Sequence, residues 1–388
     1  MKDIRLLLIW FILAGLYPGV TVHAFTETIV LIDSLNEDAW KLRKTDPQQA
    51  MILATKALTL AREMEYPTGI GTSYNRLGLL YRQNGEYKIA EEYYLKSIQI
   101  RKSVGDTTGA MGVQNNLGAL YRRTGKFEEA YKVLYEAAEY FENKKIENYL
   151  IKVRENIANT MEDENKDEQA LEQYLKVLET YLASENTHGL CRTFYNIANS
   201  YSQLGELDLA MQKVDKALPL YHSLDNWEGE AKAWNLKGTI FLKKNDLKSA
   251  EECFQKGIAI CEENEDCGLT FFDLHMNYGI LLLDINQAVK SLQKLKTAQR
   301  LIDDDKGGLE DHLLLNVNLA TAFTKLNQYD SAWAYQWHAT ALQDSLYKVE
   351  STQAIADMEV RYNVKGTLKN LTEVQLLNKE LKLRRVKK

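Results

Sequence analysis

Residues 71–98 of the chain read GTSYNRLGLLYRQNGEYKIAEEYYLKSI, and residues 111–137 read MGVQNNLGALYRRTGKFEEAYKVLYEA. The positions that coincide, forty residues apart, are Leu77 with Leu117, Gly78 with Gly118, Tyr81 with Tyr121, Gly85 with Gly125 and Ala90 with Ala130. Self-similarity at a fixed period of this size is typical of a repeat array.

The register continues along the chain at four positions. Small residues recur at Gly78, Gly118, Ala158, Ala198, Gly238, Gly279 and Ala320, and again at Ala90, Ala130, Ala170, Ala210, Ala250, Ser291 and Ala332. A turn position reads Gly85, Gly125, Asn165, Gly205, Asn245, Asn286 and Asn327, and a large residue recurs at Tyr81, Tyr121, Met161, Tyr201, Phe241, Leu282 and Phe323. Short side chains let helices approach closely, and Gly and Asn readily adopt the left-handed conformation that ends a helix. The pattern therefore predicts helix pairs, with the large residue filling the space between the two helices.

At these positions the chain resembles the tetratricopeptide-repeat family, in the variant whose units of about forty residues carry an NxLGxxYxxxGxxxxA core. The resemblance covers residues 35–343. It implies an all-α fold, a right-handed α-solenoid of about eight helix–turn–helix units followed by a C-terminal helix. Lys237, Tyr278 and Ser291 depart from the pattern, and the proline that often closes a shorter unit is absent.

The start of the chain has the pattern of a secretory signal. In residues 1–24, Lys2 and Arg5 precede an apolar core, and a small-x-small cleavage site ends at Ala24. The apolar core is short for a membrane span, so cleavage is expected rather than anchoring. We therefore expect an exported protein that is periplasmic or associated with the cell envelope.

The mature chain divides into three predicted parts. Residues 25–70 form a degenerate capping helix pair, with one helix around residues 29–42 and a second that begins after the cap residue Asp46. Residues 71–343 form the repeat array. Residues 344–388 form a single C-terminal helix with coiled-coil-like spacing. Pro219 is expected to bend or end its helix.

The predicted C-terminal helix combines an apolar stripe with a basic end. Ile355, Met358 and Tyr362 lie on one helical face and are expected to dock on the last repeat. Residues 365–388 hold eight Lys or Arg and two Glu, so weak homodimerisation or contact with anionic lipid is expected there. The rest of the mature chain is acidic, which excludes nucleic acid as a partner of the solenoid.

The sequence contains no constellation that predicts catalysis, a metal site or a bound cofactor. The histidines lack the i, i+4 spacing of a helical metal site, and no two cysteines have metal-ligand spacing. The four cysteines are Cys191, Cys253, Cys261 and Cys267, of which the last two are nearest in sequence. Oxidation is open to them outside the cytoplasm, but buried thiols are the favoured interpretation.

The candidate binding site is a ladder of asparagines on the first helix of each pair. Its members are Asn75, Asn115, Asn116, Asn156, Asn196, Asn235, Asn277 and Asn318. First helices line the concave face of such an array, and an amide both donates and accepts, as an extended peptide backbone requires. Similar repeats in kinesin light chains and polarity adaptors bind peptides in that groove. The alternative is that these amides tie one repeat to the next, and both interpretations stay open.

Arginines accompany the ladder near the N-terminal end of the array. Arg76, Arg82, Arg122 and Arg123 form a candidate anion subsite on an otherwise acidic body. The alternative is a solvated charged face.

The sequence therefore favours a binding module whose partner is a protein or peptide. Residues 344–362 resemble the segment that follows the periplasmic repeats of bacterial histidine-kinase and helix-turn-helix sensor proteins, which implies a sensory input role. No apolar span follows, so we expect a truncated sensor or a stand-alone sensory subunit. A constitutive adaptor of a cell-envelope assembly is the alternative, and an enzyme with a groove-based site is a more distant one.

Overall fold

The computed structural model describes residues 18–264, 267–302 and 308–346, with side chains from residue 26. In chain order, helices α1–α15 are Pro18–Leu42, Pro47–Glu63, Pro67–Gln83, Tyr87–Ser103, Thr107–Arg123, Phe127–Asn143, Glu147–Asp163, Asp167–Ala183, Thr187–Gln203, Leu207–Ser223, Trp227–Lys243, Leu247–Glu263, Leu269–Asp284, Ala288–Leu301 and Leu309–Lys325. Helix α16 comprises residues 329–346. These residues contain no strand, and the prediction of an all-α array of helix pairs is confirmed.

The turn within each pair has the geometry that the sequence predicted. Every one of the seven Gly or Asn turn positions has a positive φ, from 57° at Asn286 and Asn327 to 80° at Gly85 and Gly205. After Gly85, the N–H of Glu86 donates to the carbonyl of Tyr81 at 2.9 Å. This bond satisfies a carbonyl that the helix end would otherwise leave without a partner.

The turns between pairs also contain a left-handed residue, which the sequence did not predict. Glu65, Lys145, Glu185 and Asp225 have φ values of 49°, 56°, 51° and 49°. Glu and Lys side chains give no signal for this conformation, whereas Asp tolerates it better. The helices from α2 to α12 nevertheless all have 17 residues and begin 20 residues apart, so both kinds of turn have the same length.

Several helices begin at an Asp or Asn whose side chain caps the first turn. The predicted cap at Asp46 is confirmed, because its carboxylate accepts from the N–H of Gln49 at 2.9 Å, with Pro47 in the first helical position. Asn186 and Asn226 cap α9 and α11 through the N–H of a glycine three residues later.

The small residues lie where the two helices of a pair cross, as predicted. A Cβ on Gly118 would lie 2.5 Å from Cγ of Leu134, and one on Gly238 would lie 2.5 Å from Cε1 of Phe254. Ala90, Ala130, Ala170, Ala210 and Ala250 are fully buried on the facing helices. Large side chains on the second helix therefore fill the space that the small residues leave.

The described residues fall into two compact units, unit 1 up to Lys213 and unit 2 from Val214. Within unit 1 the first helices of successive pairs touch, α1 with α3, α3 with α5 and α5 with α7. Within unit 2 the contacts are α11 with α13 and α13 with α15. No comparable contact joins the successive second helices α2, α4, α6 and α8 of unit 1, whereas in unit 2 the Lys296 side chain of α14 contacts the Tyr335 hydroxyl of α16. We call the surface formed by the first helices of a unit its first-helix face.

Two details differ from the sequence-based expectations. Helix α1 begins at Pro18 rather than near Ile29, since proline is well tolerated in the first helical turn. Pro219 does not end its helix. Helix α10 continues to Ser223, and Leu218 and Tyr221 are buried on either side of the proline. Residues 1–17 and 347–388 lie outside the described residues, and with them most of the predicted signal segment and C-terminal helix.

The favoured interpretation of the cysteines as buried thiols is wrong for two of the four. Cys261 and Cys267 form a disulfide with their Cα atoms 5.4 Å apart. They face each other because α12 ends at Glu263 and α13 begins shortly after Cys267. Cys191 and Cys253 are buried free thiols, and burial raises the pKa of Cys253 to about 11.

Candidate functional site

The asparagine ladder consists of two columns on the first-helix faces. The first column, three residues before the small position, contains Asn75, Asn115 and Asn235, and the second column, one residue later, contains Asn116, Asn156, Asn196, Asn277 and Asn318. All of these side chains are half-buried. The sequence predicted these two adjacent positions of each pair but not the hydrogen bonds between them.

The two columns are joined by hydrogen bonds between successive pairs. Nδ2 of Asn116 donates to Oδ1 of Asn75 at 3.0 Å, and Nδ2 of Asn156 donates to Oδ1 of Asn115 at 2.8 Å. In unit 2, Nδ2 of Asn277 donates to Oδ1 of Asn235 at 2.9 Å. In each case the later pair donates from the second column and the earlier pair accepts in the first column.

Asn196 and Asn318 do not donate to a first-column asparagine, because the first column has a different residue in the preceding pair. The acceptor position of Asn196 is taken by Glu155, so its Nδ2 approaches Oδ1 of Asn159 at 3.5 Å. The position before Asn318 is taken by Met276, which has no carboxamide oxygen. Asn318 therefore donates to the carbonyl of Leu314 in its own helix, at 2.8 Å.

These bonds orient the first-column amides and leave one donor group free on each. Asn75, Asn115 and Asn235 accept through Oδ1, and within the described residues their Nδ2 groups have no hydrogen-bond partner. An amide held by its oxygen presents its two N–H donors in a defined direction. The ladder therefore ties the pairs together and also leaves one donor group on each first-column asparagine without a partner among the described residues.

Glu155 replaces an amide of the first column with a buried carboxylate. Nη2 of Arg192 contacts its two oxygens at 2.7 and 2.9 Å, and the Tyr181 hydroxyl donates to Oε1 at 3.2 Å. Glu155 is 8% exposed, so its charge is compensated by partners from α8 and α9. The Glu155–Arg192 interaction takes the place of the asparagine–asparagine hydrogen bond that joins successive pairs elsewhere in unit 1.

A second polar network lies one turn further along the first-helix face of unit 1. The Tyr174 hydroxyl lies 2.5 Å from Oδ1 of Asn159 and 2.8 Å from Oε2 of Glu162, and Nδ2 of Asn199 donates to Oε1 of Glu162 at 2.6 Å. Burial raises the pKa of Glu162, while the hydrogen bonds from Asn199 and Tyr174 oppose that rise. None of these four residues was singled out from the sequence, although Asn159 and Asn199 are separated by the repeat period.

Tyr94 occupies the register position of Tyr174 but lacks its partners. Leu79 and Arg82 stand where the later pair has Asn159 and Glu162. The buried hydroxyl of Tyr94 has no hydrogen-bond partner among the described residues. Burial raises the pKa of Tyr94 to about 12, against the opposing charge of Arg82.

The four arginines of the predicted anion subsite do not share one environment. Nε of Arg76 donates to the carbonyl of Asn36 at 3.3 Å, and its guanidinium lies 4.6 Å from the Trp40 ring centroid. Burial lowers the pKa of Arg76.

Arg122 is also engaged, since its Nη1 lies 2.7 Å from Oδ2 of Asp163. Nε of Arg123 approaches the Tyr87 hydroxyl at 3.4 Å, and Arg82 makes no hydrogen bond within the described residues. Arg82 and Arg123 are therefore the members best able to meet an anion.

Helix α13 of unit 2 contains two titratable groups with shifted pKa values, the half-buried Asp273 and the buried His275. Burial, reinforced by the charge of Asp311, raises the pKa of Asp273 to about 6. Burial lowers the pKa of His275 to about 4, and neither of its ring nitrogens has a partner among the described residues. At neutral pH His275 is therefore uncharged.

A cavity of about 620 Å³ lies between α14, α15 and α16. His312, His338, Gln299, Asn316 and Tyr335 are among its lining residues. In the described part of the chain no three His, Cys, Asp or Glu side chains are grouped as metal ligands. None of the helices described is both long and apolar enough to cross a bilayer.

Family models agree with the repeat pattern. Models described as tetratricopeptide repeat match residues 70–104, 109–183 and 189–263. A search of curated proteins gave no match.

Solved structures resemble the chain over most of its length. A Rap protein in complex with competence and sporulation factor is 16% identical, with 84% of this chain and 99% of that chain covered at a TM-score of 0.57. The apo form of RapI is 16% identical, with 82% and 99% covered at 0.56. A tetratricopeptide repeat protein from Parabacteroides merdae is 16% identical, with 72% and 96% covered at 0.51. At this level of identity the likeness shows a shared fold.

Proposed function

Because this chain is a tetratricopeptide-repeat protein, we propose that it is a non-catalytic binding module that holds a protein or peptide on the first-helix face of unit 1. One observation carries the proposal. The Nδ2 groups of Asn75 and Asn115 are free, half-exposed, oriented by the bonds between pairs and located on neighbouring helices. An extended peptide presents carbonyl acceptors at regular intervals, and these match such donors.

We further propose that two arginines bind an acidic group of the ligand. Arg82 and Arg123 carry the anion subsite, because Arg76 and Arg122 already contact protein groups. A peptide carboxylate or an acidic side chain is the group that these guanidinium groups would meet. The likeness to a Rap protein solved in complex with competence and sporulation factor, over 84% of this chain, supports a protein or peptide as the partner.

We further propose that the protein is exported and acts as the sensory input of a bacterial signalling system. The disulfide between Cys261 and Cys267 supports export, since such bonds persist in oxidising compartments. Mass spectrometry of the protein from the periplasmic or envelope fraction should find cleavage after Ala24 and the intact disulfide. A full-length protein with reduced cysteines in the cytoplasm would contradict export.

The binding proposal can be tested with two asparagines, one in each unit. Asn115→Asp keeps the oxygen that accepts from Asn156 and replaces the free donor by a charged oxygen, whereas Asn277→Ala removes a bond between pairs in unit 2 and leaves the oriented donors of Asn75 and Asn115 intact. Affinity selection from a mixed-sequence peptide library on the immobilised protein should enrich peptides with the wild type and with Asn277→Ala. It should enrich none with Asn115→Asp.

Asn235→Asp, the same change in unit 2, is the matched control for the added charge. It should leave the selected peptides unchanged, and thermal melting should show all variants folded. Equal enrichment by Asn115→Asp and the wild type, or no enrichment by any protein, would refute peptide binding at this face. Partners captured equally by every variant would instead favour a constitutive adaptor, for which the bonds between pairs have only a structural role.

A further inference from the structure

Tyr94 on α4 is fully buried, and its hydroxyl has no hydrogen-bond partner among the described residues. Buried hydroxyls in folded proteins almost always have a partner, so one without a partner points to a missing acceptor. The residue at the same register position two pairs later is Tyr174, which is equally buried. Tyr174 therefore shows which acceptor a tyrosine takes at this position.

The acceptor at Tyr174 includes a carboxylate that reaches it from the first-helix face. The Tyr174 hydroxyl lies 2.8 Å from Oε2 of Glu162, and Glu162 is half-buried on α7. A tyrosine that is fully enclosed at this register position can thus be contacted by a carboxylate that is itself partly open to solvent.

At Tyr94 the carboxylate is missing and a cation stands in its place. The register position of Glu162 is taken by Arg82 on α3. The position of Asn159 is taken by Leu79, whose side chain has no polar atom. The Arg82 guanidinium makes no hydrogen bond or ion pair within the described residues, and its charge opposes the rise in the pKa of Tyr94 that burial causes. The site therefore offers two donors, one of them cationic, and no side-chain acceptor.

We propose, on the premise that the first-helix face of unit 1 binds a protein or peptide, that Tyr94 and Arg82 together hold a carboxylate group of that ligand. The ligand carboxylate takes the place beside Tyr94 that the Glu162 side chain has beside Tyr174. Its two oxygens can accept from the hydroxyl and from the guanidinium at the same time. Tyr94 is then the residue that makes this part of the face select an acidic ligand over a neutral one.

A carboxylate introduced from within the chain tests the geometry without any ligand. Arg82→Glu places a glutamate at the register position of Glu162, beside the Tyr94 hydroxyl. Tyr94→Phe should then lower the melting temperature by at least about 2 °C more in the Arg82→Glu protein than in the wild type. Equal shifts in the two proteins would show that a carboxylate at this position does not reach the hydroxyl, and would overturn the proposal.

Affinity selection from three peptide libraries tests the ligand group. The first library contains Asp and Glu with an amidated C-terminus, the second has a free C-terminus without Asp or Glu, and the third has neither kind of carboxylate. The wild type should enrich peptides from the first or the second library at least about tenfold more than from the third. The control Tyr93→Phe, which removes the hydroxyl of the neighbouring residue, should behave like the wild type. The enriched library identifies the carboxylate as that of a side chain or of the C-terminus.

Tyr94→Phe and Arg82→Gln should each abolish this preference, while thermal melting shows both proteins folded. A preference that survives Tyr94→Phe would overturn the role of Tyr94. Equal enrichment from all three libraries by the wild type would overturn the carboxylate site and leave peptide binding intact. No enrichment from any library would instead refute the proposed function, and the carboxylate site with it.

Discussion

The first-helix faces of unit 1 and unit 2 share a backbone register but differ in their side chains. In unit 1 the face contains asparagine–asparagine hydrogen bonds between pairs, the Glu155–Arg192 contact and the network around Glu162. In unit 2 the face contains one hydrogen bond of this kind, from Asn277 to Asn235. The first-column position of α15 is Val317, which is 38% exposed. The repeat therefore fixes the backbone while leaving the chemistry of the face free to vary along the chain.

The largest expected effect comes from making unit 1 resemble unit 2 at one buried ring. Tyr174 has the register position of Phe254, so Tyr174→Phe transfers the unit 2 residue into unit 1. The change leaves Glu162 and Asn159 short of a donor in a buried site, and it should lower the free energy of unfolding by about 1–3 kcal/mol. Chemical denaturation monitored by circular dichroism measures this difference.

Tyr94→Phe is the matched control within unit 1. The Tyr94 hydroxyl is buried without a partner, so its removal should change stability by less than about 0.5 kcal/mol or increase it. Equal losses for the two tyrosines would show that ring packing, and not the polar network, distinguishes unit 1.

The next effect depends on pH and concerns unit 2. The pKa of Asp273 is raised from 3.8 to about 6, so the folded protein holds this proton more tightly than the unfolded chain does. The stabilising contribution is therefore fully present below about pH 4 and is lost as the pH rises through 6. Asp273→Asn should be more stable than the wild type by about 1–2 kcal/mol at pH 7, and the two proteins should converge near pH 4.

Glu162→Gln provides the corresponding measurement in unit 1. Its carboxylate accepts from Tyr174 and Asn199, and an amide replaces one acceptor oxygen by a donor. We expect no gain in melting temperature at pH 7 from this variant. A gain equal to that of Asp273→Asn would mean that the network does not compensate the buried charge of Glu162.

A smaller effect should be common to both units. Asn116→Ala and Asn277→Ala each remove one bond between pairs, and each should lower the free energy of unfolding by about 1 kcal/mol. Melting curves of the two variants test this equality. If only Asn116→Ala lowers the free energy of unfolding, the bond in unit 2 contributes nothing to stability, and the two faces differ in this respect as well.

The smallest effect concerns the turns between pairs. Lys145 in unit 1 and Asp225 in unit 2 have positive φ, which glycine adopts without steric strain. Lys145→Gly should stabilise the protein by about 0.5 kcal/mol, and Asp225→Gly should stabilise it less because Asp tolerates this conformation better than Lys. Thermal melting compares the two. Destabilisation by Lys145→Gly would show that the contacts of the Lys145 side chain stabilise the protein by more than the strain of its positive φ destabilises it.

The sequence was sufficient to predict the parts of the fold that depend on residue size and backbone freedom. Positions such as Gly78 and Gly118 have few alternatives, because a Cβ there would overlap the facing helix. The left-handed Lys145 could not be predicted, since no side-chain property requires that conformation. Its turn forms because the helices on either side are already placed by packing.

The position of the asparagine ladder on the first helices was predicted, but the hydrogen bonds within it were not. The spacing of Asn115 and Asn116 identifies both residues, yet which one accepts and which one donates depends on the rotation between successive helices. Glu155 shows the same limit, since its partner Arg192 lies 37 positions away and matches no motif. Networks of this kind follow from three-dimensional neighbours that one sequence does not reveal.

The distance along the chain between interacting residues also bears on how the protein is made. Side-chain hydrogen bonds between successive pairs span about one repeat, as between Asn277 and Asn235, which are 42 positions apart. Such low contact order favours rapid folding, and it lets a helix pair complete its contacts once about forty further residues have emerged from a ribosome or a translocation pore. A nascent chain can thus become structured from its N-terminus onward while its C-terminal part is still being delivered.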